Sequence, residues 1–148
     1  MDIVADLEAS CLPARLFAEI DDLARYPEWL SIVPRAVAAE PAHDDEGPAW
    51  LVDLRGRLGP LARSKRLRMV RTLHEAPNRV RFERRERDGR QHSEWVLEAE
   101  VTAVAGAARS RLVMKLHYGG SFGGALLERM LRDEIDHSRR RLLERVTG

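Results

Sequence analysis

Apolar and polar residues alternate over several stretches of the chain, then give way to a longer spacing at its end. Between Arg111 and Tyr118, Leu112, Met114, Leu116 and Tyr118 take one parity, and Arg111, Val113, Lys115 and His117 the other. That is the period of a strand with one buried face. From Ser121 to Val146, the apolar positions Phe122, Leu126, Leu127, Met130, Leu131, Ile135, Leu142, Leu143 and Val146 recur at steps of about three and four, as one face of an α-helix requires. A first strand is expected at Asp2 to Ala9. Pro13 suits the first turn of a helix, and Leu16, Phe17, Ile20, Leu23 and Ala24 continue its apolar stripe. Tyr26-Pro27 is expected to end it, because a residue before proline is pushed out of the helical region. Glu28 to Ile32 leaves room for one more short turn.

Short strands then follow one another. Val37 to Glu40 is the first, and a polar turn at His43 to Pro48 leads to a strand with Trp50, Val52, Leu54 and Gly56 on one face. Gly59-Pro60 turns the chain into a long strand, Ala62 to Glu75, in which Lys65, Leu67, Met69, Arg71 and Leu73 share a face. The alternative parity points Arg68, Val70 and Thr72 inward. After Ala76-Pro77-Asn78, the stretch Arg79 to Arg87 places Val80, Phe82, Arg84 and Glu86 together. Asp88-Gly89 marks a hairpin, and Ser93 to Val104 turns Trp95, Leu97, Ala99 and Val101 inward. The order predicts one antiparallel α+β domain over residues 1–148, a meander whose apolar face the final helix covers.

Composition narrows the classes. The start of the chain lacks the basic segment and apolar run of a signal peptide, and no apolar stretch approaches the roughly 20 residues of a membrane span, so a cytoplasmic location is expected. One cysteine, Cys11, excludes an internal disulfide and a Cys-based zinc site, and it reads as a buried thiol. The five histidines are scattered, with no His-x-x-x-His pair and no Glu-x-x-His box. No metal or cofactor is therefore expected. The net charge of +1 hides an asymmetry: residues 1–54 carry 3 basic and 12 acidic side chains, and residues 55–90 carry 13 and 4. The two segments are expected to neutralise each other inside one fold, as Arg81 and Glu83 would with Glu98 and Glu100 on a neighbouring strand. Arg139-Arg140-Arg141 suits the negative end of a helix dipole and offers weak contact to a membrane surface. Gly119-Gly120-Ser121-Phe122-Gly123-Gly124 lacks the Lys-Ser/Thr of a phosphate loop and reads as the joint between the last strand and the helix. No nucleic-acid partner is expected, and the oligomeric state is open.

Three segments carry a resemblance: Ala9-Ser10-Cys11-Leu12-Pro13-Ala14-Arg15-Leu16-Phe17, then Leu23-Ala24-Arg25-Tyr26-Pro27-Glu28-Trp29-Leu30, and Ser93-Glu94-Trp95-Val96-Leu97 with the closing Arg111 to Tyr118. With the element order, they make the whole chain resemble the SRPBCC superfamily of START domains, Bet v 1-like proteins, and bacterial polyketide cyclase/dehydrase and coenzyme Q-binding relatives. The resemblance implies a helix-grip fold: a seven-stranded antiparallel sheet wrapped around a long C-terminal helix, two short helices between the first two strands, and a cavity between sheet and helix. It implies that Phe122, Leu126 and Met130 line that cavity from the helix. Trp50, Leu67, Met69, Phe82, Trp95, Leu97, Leu112, Met114 and Leu116 would line it from the sheet.

Trp29, Trp50 and Trp95 are many for an aromatic-poor chain. Flat aromatic walls suit a planar or polyene ligand, and an indole N–H can orient its polar end. All three are taken as ligand-binding. Arg71, Arg84 and Glu86 are the charged residues whose parity points inward. They are the candidates for catalysis, although pairing among themselves would also resolve their burial. The expected function is binding or transport of a lipophilic small molecule of aromatic, polyketide or isoprenoid type. The alternatives are a polyketide aromatase, cyclase or dehydratase using the inward arginines and glutamate, and a coenzyme Q-binding-type accessory protein of a respiratory or redox complex.

Overall fold

A computed structural model describes residues 1–58, 61–106, 108–121 and 124–147, without the side chains of 57, 58 and 61–63. The turn expected at Gly59-Pro60, and Phe122, lie outside that set. The chain runs β1 (Asp2–Ala9), α1 (Pro13–Phe17), a 3-10 helix (Leu23–Glu28), β2 (Arg35–Ala38), β3 (Ala49–Leu58), β4 (Leu61–Glu75), β5 (Arg79–Arg84), β6 (Trp95–Val104), β7 (Arg109–Tyr118) and α2 (Gly124–Thr147). The strands form one seven-stranded sheet in the order β1-β7-β6-β5-β4-β3-β2, with every neighbouring pair antiparallel. This is the helix-grip arrangement. Along α2 the buried residues Leu127, Leu131, Ser138, Leu142 and Val146 form a stripe at steps of three and four, interrupted only by half-buried Ile135, and that stripe faces the sheet.

Several local expectations are corrected. β2 is Arg35–Ala38 instead of Val37 to Glu40, and β5 ends at Arg84, so residues 85–94 form a long connection in place of a tight hairpin at Asp88-Gly89. The first helix stops at Phe17 instead of running to Tyr26. A new 3-10 helix begins at Leu23, where the Asp22 side chain accepts from the Ala24 N–H at 2.9 Å, as an N-cap does. Pro27 lies inside that second helix. In β4 the register shifts between Arg71 and Leu73, so Thr72 is an extra residue that reverses parity beyond it. Leu73 therefore does not share the face of Leu67, Met69 and Arg71. His74 takes that face instead and stacks on Phe17, ring centroids 5.8 Å apart.

The acidic first third and the basic middle do meet. Residues 40–46 reach across the outward face of β4 and β5, where Arg68 grips Asp45 with bonds of 2.7 and 3.0 Å and donates to the Glu40 carbonyl at 2.9 Å. Arg87 reaches Asp44 and Asp45, and Arg85 reaches Glu46. Arg66 pairs with Asp53 and Arg81 with Glu98.

Candidate functional site

The residues on the concave side of the sheet leave a cavity of about 130 Å³ between it and α2. Ile3, Ala5 and Leu7 of β1 border it, as do Val52, Leu54, Leu67 and Met69 of β3 and β4, and Trp95, Leu97, Leu112, Met114 and Leu116 of β6 and β7. Leu23, Tyr26, Trp29, Leu30, Ile32 and Val33 close one end, and Leu131, Ile135, Ser138, Arg139 and Leu142 form the helical wall. The volume is close to the roughly 150 Å³ of an apolar cavity that admits benzene, and below the roughly 300 Å³ at which drug-sized pockets begin. As it stands, the space fits one ring.

Of the thirteen residues taken as ligand-binding from the sequence, Trp29, Leu67, Met69, Trp95, Leu97, Leu112, Met114 and Leu116 border this cavity. Trp50 and Phe82 do not, although their parity is inward as expected. They pack edge to face at 5.6 Å, and Phe82 meets Tyr26 at 6.3 Å, an aromatic cluster whose Trp50 instead borders a second, more open pocket beside the short helices, with Phe17 and Arg71. Leu126 is 51% exposed, one position short of the buried stripe that Leu127 begins. Met130 is half-buried, its thioether packed so closely over Gly56 that any side chain there would displace it. The helix therefore contributes from its middle, Leu131 to Leu142, and not from its first turns. The face of β1 was legible as a strand from Ile3, Ala5 and Leu7, but nothing in its short pattern marked it as a cavity wall.

None of the three charged candidates borders this cavity, although Arg71 lines the second, more open pocket with Trp50. Arg71 donates to the Asp21 carbonyl at 3.0 Å and so ties β4 to the turn between the two short helices. Arg84 is half-buried and held by Glu86 at 2.6 Å and by the Ser93 carbonyl at 3.2 Å, the partnership that resolves its inward parity. Lys65 lies near this pair, and its amine is lowered from the ordinary value by burial and by the Arg84 charge. Cys11 is buried, which raises its thiol above the ordinary value despite nearby Arg15. Such a thiol is a poor nucleophile. Among the described residues no three of His, Cys, Asp or Glu converge to hold a metal, and no helix is long and apolar enough to cross a membrane.

One buried charge escaped sequence reasoning. Glu19, with 1% of its side chain exposed, accepts from Arg15 at 3.0 Å and from Arg145 at 2.9 Å, with Arg25 at 3.7 Å. Burial pushes its carboxyl up, but the hydrogen bonds from Arg145 and Arg15 outweigh that and hold it below the ordinary value. The cluster fixes the end of α2 to α1 and the turn that follows it. Its signal was present: Leu16, Glu19, Ile20 and Leu23 stand at i, i+3, i+4 and i+7, which places a carboxylate on an apolar stripe.

A family model described as polyketide cyclase / dehydrase and lipid transport matches residues 3–147. No curated protein matches the chain. Among solved structures, a protein from Thermus thermophilus is similar with a TM-score of 0.74 at 17% identity, over 99% of this chain and 97% of that one. A START superfamily protein from Mycobacterium smegmatis gives a TM-score of 0.72 at 12% identity over 99% and 97%, and a protein from Chromobacterium violaceum gives 0.69 at 12% over the same shares. At these identities the likeness establishes the shared fold.

Proposed function

The chain belongs to the polyketide cyclase / dehydrase and lipid transport family, and from that premise we propose that it binds a lipophilic small molecule in the cavity between sheet and α2. The observation that carries this reading is an almost wholly apolar wall around about 130 Å³ of space between the sheet and the helix. Protein interiors ordinarily close such voids, because each one forfeits dispersion contacts. A ligand would restore them and bury its own apolar area at about 25 cal/mol per Å², less the cost of ordering. One aromatic ring matches the volume, and a larger polyketide or isoprenoid would require α2 to move away from the sheet.

The cyclase alternative has less support. A proton-moving group would need to reach the bound ligand, whereas Arg71, Arg84 and Glu86 do not border the cavity and are held by protein partners. Arg84→Ala is therefore expected to cost stability while leaving ligand affinity within about twofold; loss of a turnover activity with the fold retained would instead favour the enzyme reading.

Native mass spectrometry of protein taken from its own host tests the main proposal. The wild type is expected to carry a small-molecule adduct. Met114→Trp, whose register neighbours are Ala5 and Ala99, is expected to fill the cavity, lose the adduct and keep its circular dichroism. An adduct retained unchanged by that variant would move the site elsewhere. Wild type with no adduct and no affinity for one-ring aromatics would defeat the proposal.

A further inference from the structure

The second pocket, open to solvent and of about 770 Å³, lies across the aromatic cluster from the internal cavity. Tyr26 borders the cavity, Trp50 borders the pocket, and Phe82 packs against both rings. The volume is within the roughly 300–1,000 Å³ of small-molecule sites. Exposed Ala18, Pro41, Pro48 and Pro77 give the pocket apolar sides, and buried Phe17 and Trp50 complete its wall.

Four charged residues line it: Asp21, Asp22, Arg25 and Arg71. Both carboxylates are engaged by the protein, Asp21 with the His74 ring at 3.0 Å and Asp22 with the Ala24 N–H at 2.9 Å. Arg25 turns to Glu19 at 3.7 Å. Arg71 differs. Its Nη1 donates to the Asp21 carbonyl at 3.0 Å and its backbone N–H to the Pro48 carbonyl at 3.0 Å, so the residue is fixed at both ends. Among the described residues no carboxylate pairs with it, and its Nε–H and Nη2 groups have no partner although they are not buried. Those two groups make up the side of a guanidinium that takes a carboxylate through two parallel bonds. Arg66 holds Asp53 through the same two atoms, at 2.7 and 3.3 Å. A guanidinium held in place with that fork open is preorganised for a carboxylate.

We propose that this pocket binds a small carboxylic acid with an apolar body, its carboxylate gripped by the Nε–H and Nη2 fork of Arg71 and its body lying on the alanine and proline sides. The site is separate from the internal cavity and does not depend on the reading of that cavity. A neutral amide of the same shape offers one oxygen and leaves one arm of the fork unpaired.

The test uses 1-naphthylacetate and 1-naphthylacetamide, whose two rings exceed the internal cavity as it stands. Each is titrated into the full chain by calorimetry, with the arginine Nε–H resonances followed by NMR. The carboxylate is expected to bind about tenfold more tightly than the amide and to move the Arg71 Nε–H signal. Arg71→Lys keeps the charge without the fork and is expected to lose most of that preference. Arg140→Met, which removes an exposed charge from α2, is expected to change naphthylacetate affinity by less than about twofold. Excess ethylbenzene is expected to leave the naphthylacetate isotherm unchanged. Equal affinity for the two compounds, no binding of either, or an Arg71 resonance that stays still would overturn the inference. Displacement by ethylbenzene would overturn it as well, by placing both guests in one cavity. The wild-type titrations decide the matter even if Arg71→Lys does not fold.

Discussion

Replacing Arg145 by methionine is expected to lower the free energy of unfolding by about 3 kcal/mol, the bottom of the range for stranding a buried charge. For a chain of this length that is a fall in Tm of roughly 6–12 °C. The low end applies because Arg15 still reaches the Glu19 carboxylate at 3.0 Å. Glu19→Gln combined with Arg145→Met is expected to cost less than Arg145→Met alone, since no charge is then left behind. The pH dependence has a definite sign. The Glu19 carboxyl is held below its ordinary value in the folded protein, so its contribution is fully present above about pH 4.3, the unfolded value, and is lost as pH falls through the lowered one. Arg145→Met should flatten that acid limb. Thermal melts from pH 3 to 7 check both statements; a variant melting within about 2 °C of wild type at pH 7 would show that the cluster does not hold α2.

A comparable loss, about 3 kcal/mol, is expected for Arg68→Met. Asp45 and Arg68 expose 2% and 8% of their side chains, and removing the guanidinium leaves the carboxylate with the Ala42 N–H and Arg87. The hydrogen bonds from Arg68 are the main reason that Asp45 lies well below the ordinary carboxylate range, against the opposing effect of burial. Its stabilisation is therefore present above about pH 3.9 and disappears on acidification. Loss of the clamp should also free residues 40–46 from the sheet. Limited proteolysis is expected to cut Arg68→Met in that segment while the wild type resists. Equal cleavage of the two would mean that the loop is held by its other arginines.

The strands were legible because their apolar residues alternate, and β1 was placed to the residue. What the sequence could not supply was how many faces are covered. In β4, Leu67 and Met69 are buried on one side while Arg68 and Val70 are buried on the other, and each parity mixes apolar with charged residues, so both remained open. The bulge at Thr72 is equally silent, since a reversal of parity is visible only once a partner strand fixes the register. Trp50 and Phe82 show a further limit: alternation gives the side of a sheet, whereas membership of a cavity depends on curvature and on what descends onto that side. Trp95 and Leu97 border open space, while Phe82, one strand over, lies beneath Tyr26.

The placement of β1 has a consequence for how the protein is made. Its only ladder in the sheet is with β7, in a register that aligns Asp2 with His117, whereas β2 to β6 each have neighbours adjacent in sequence. During synthesis the middle strands can zip in order, but the first waits on the ribosome surface until nearly everything else has emerged. Such long-range closure is slow, and it leaves a bare strand edge and a greasy concave surface exposed in the meantime. Nascent chains of this protein should accordingly be strong clients of the chaperones that shield unfinished sheets, released only when the final segments arrive together.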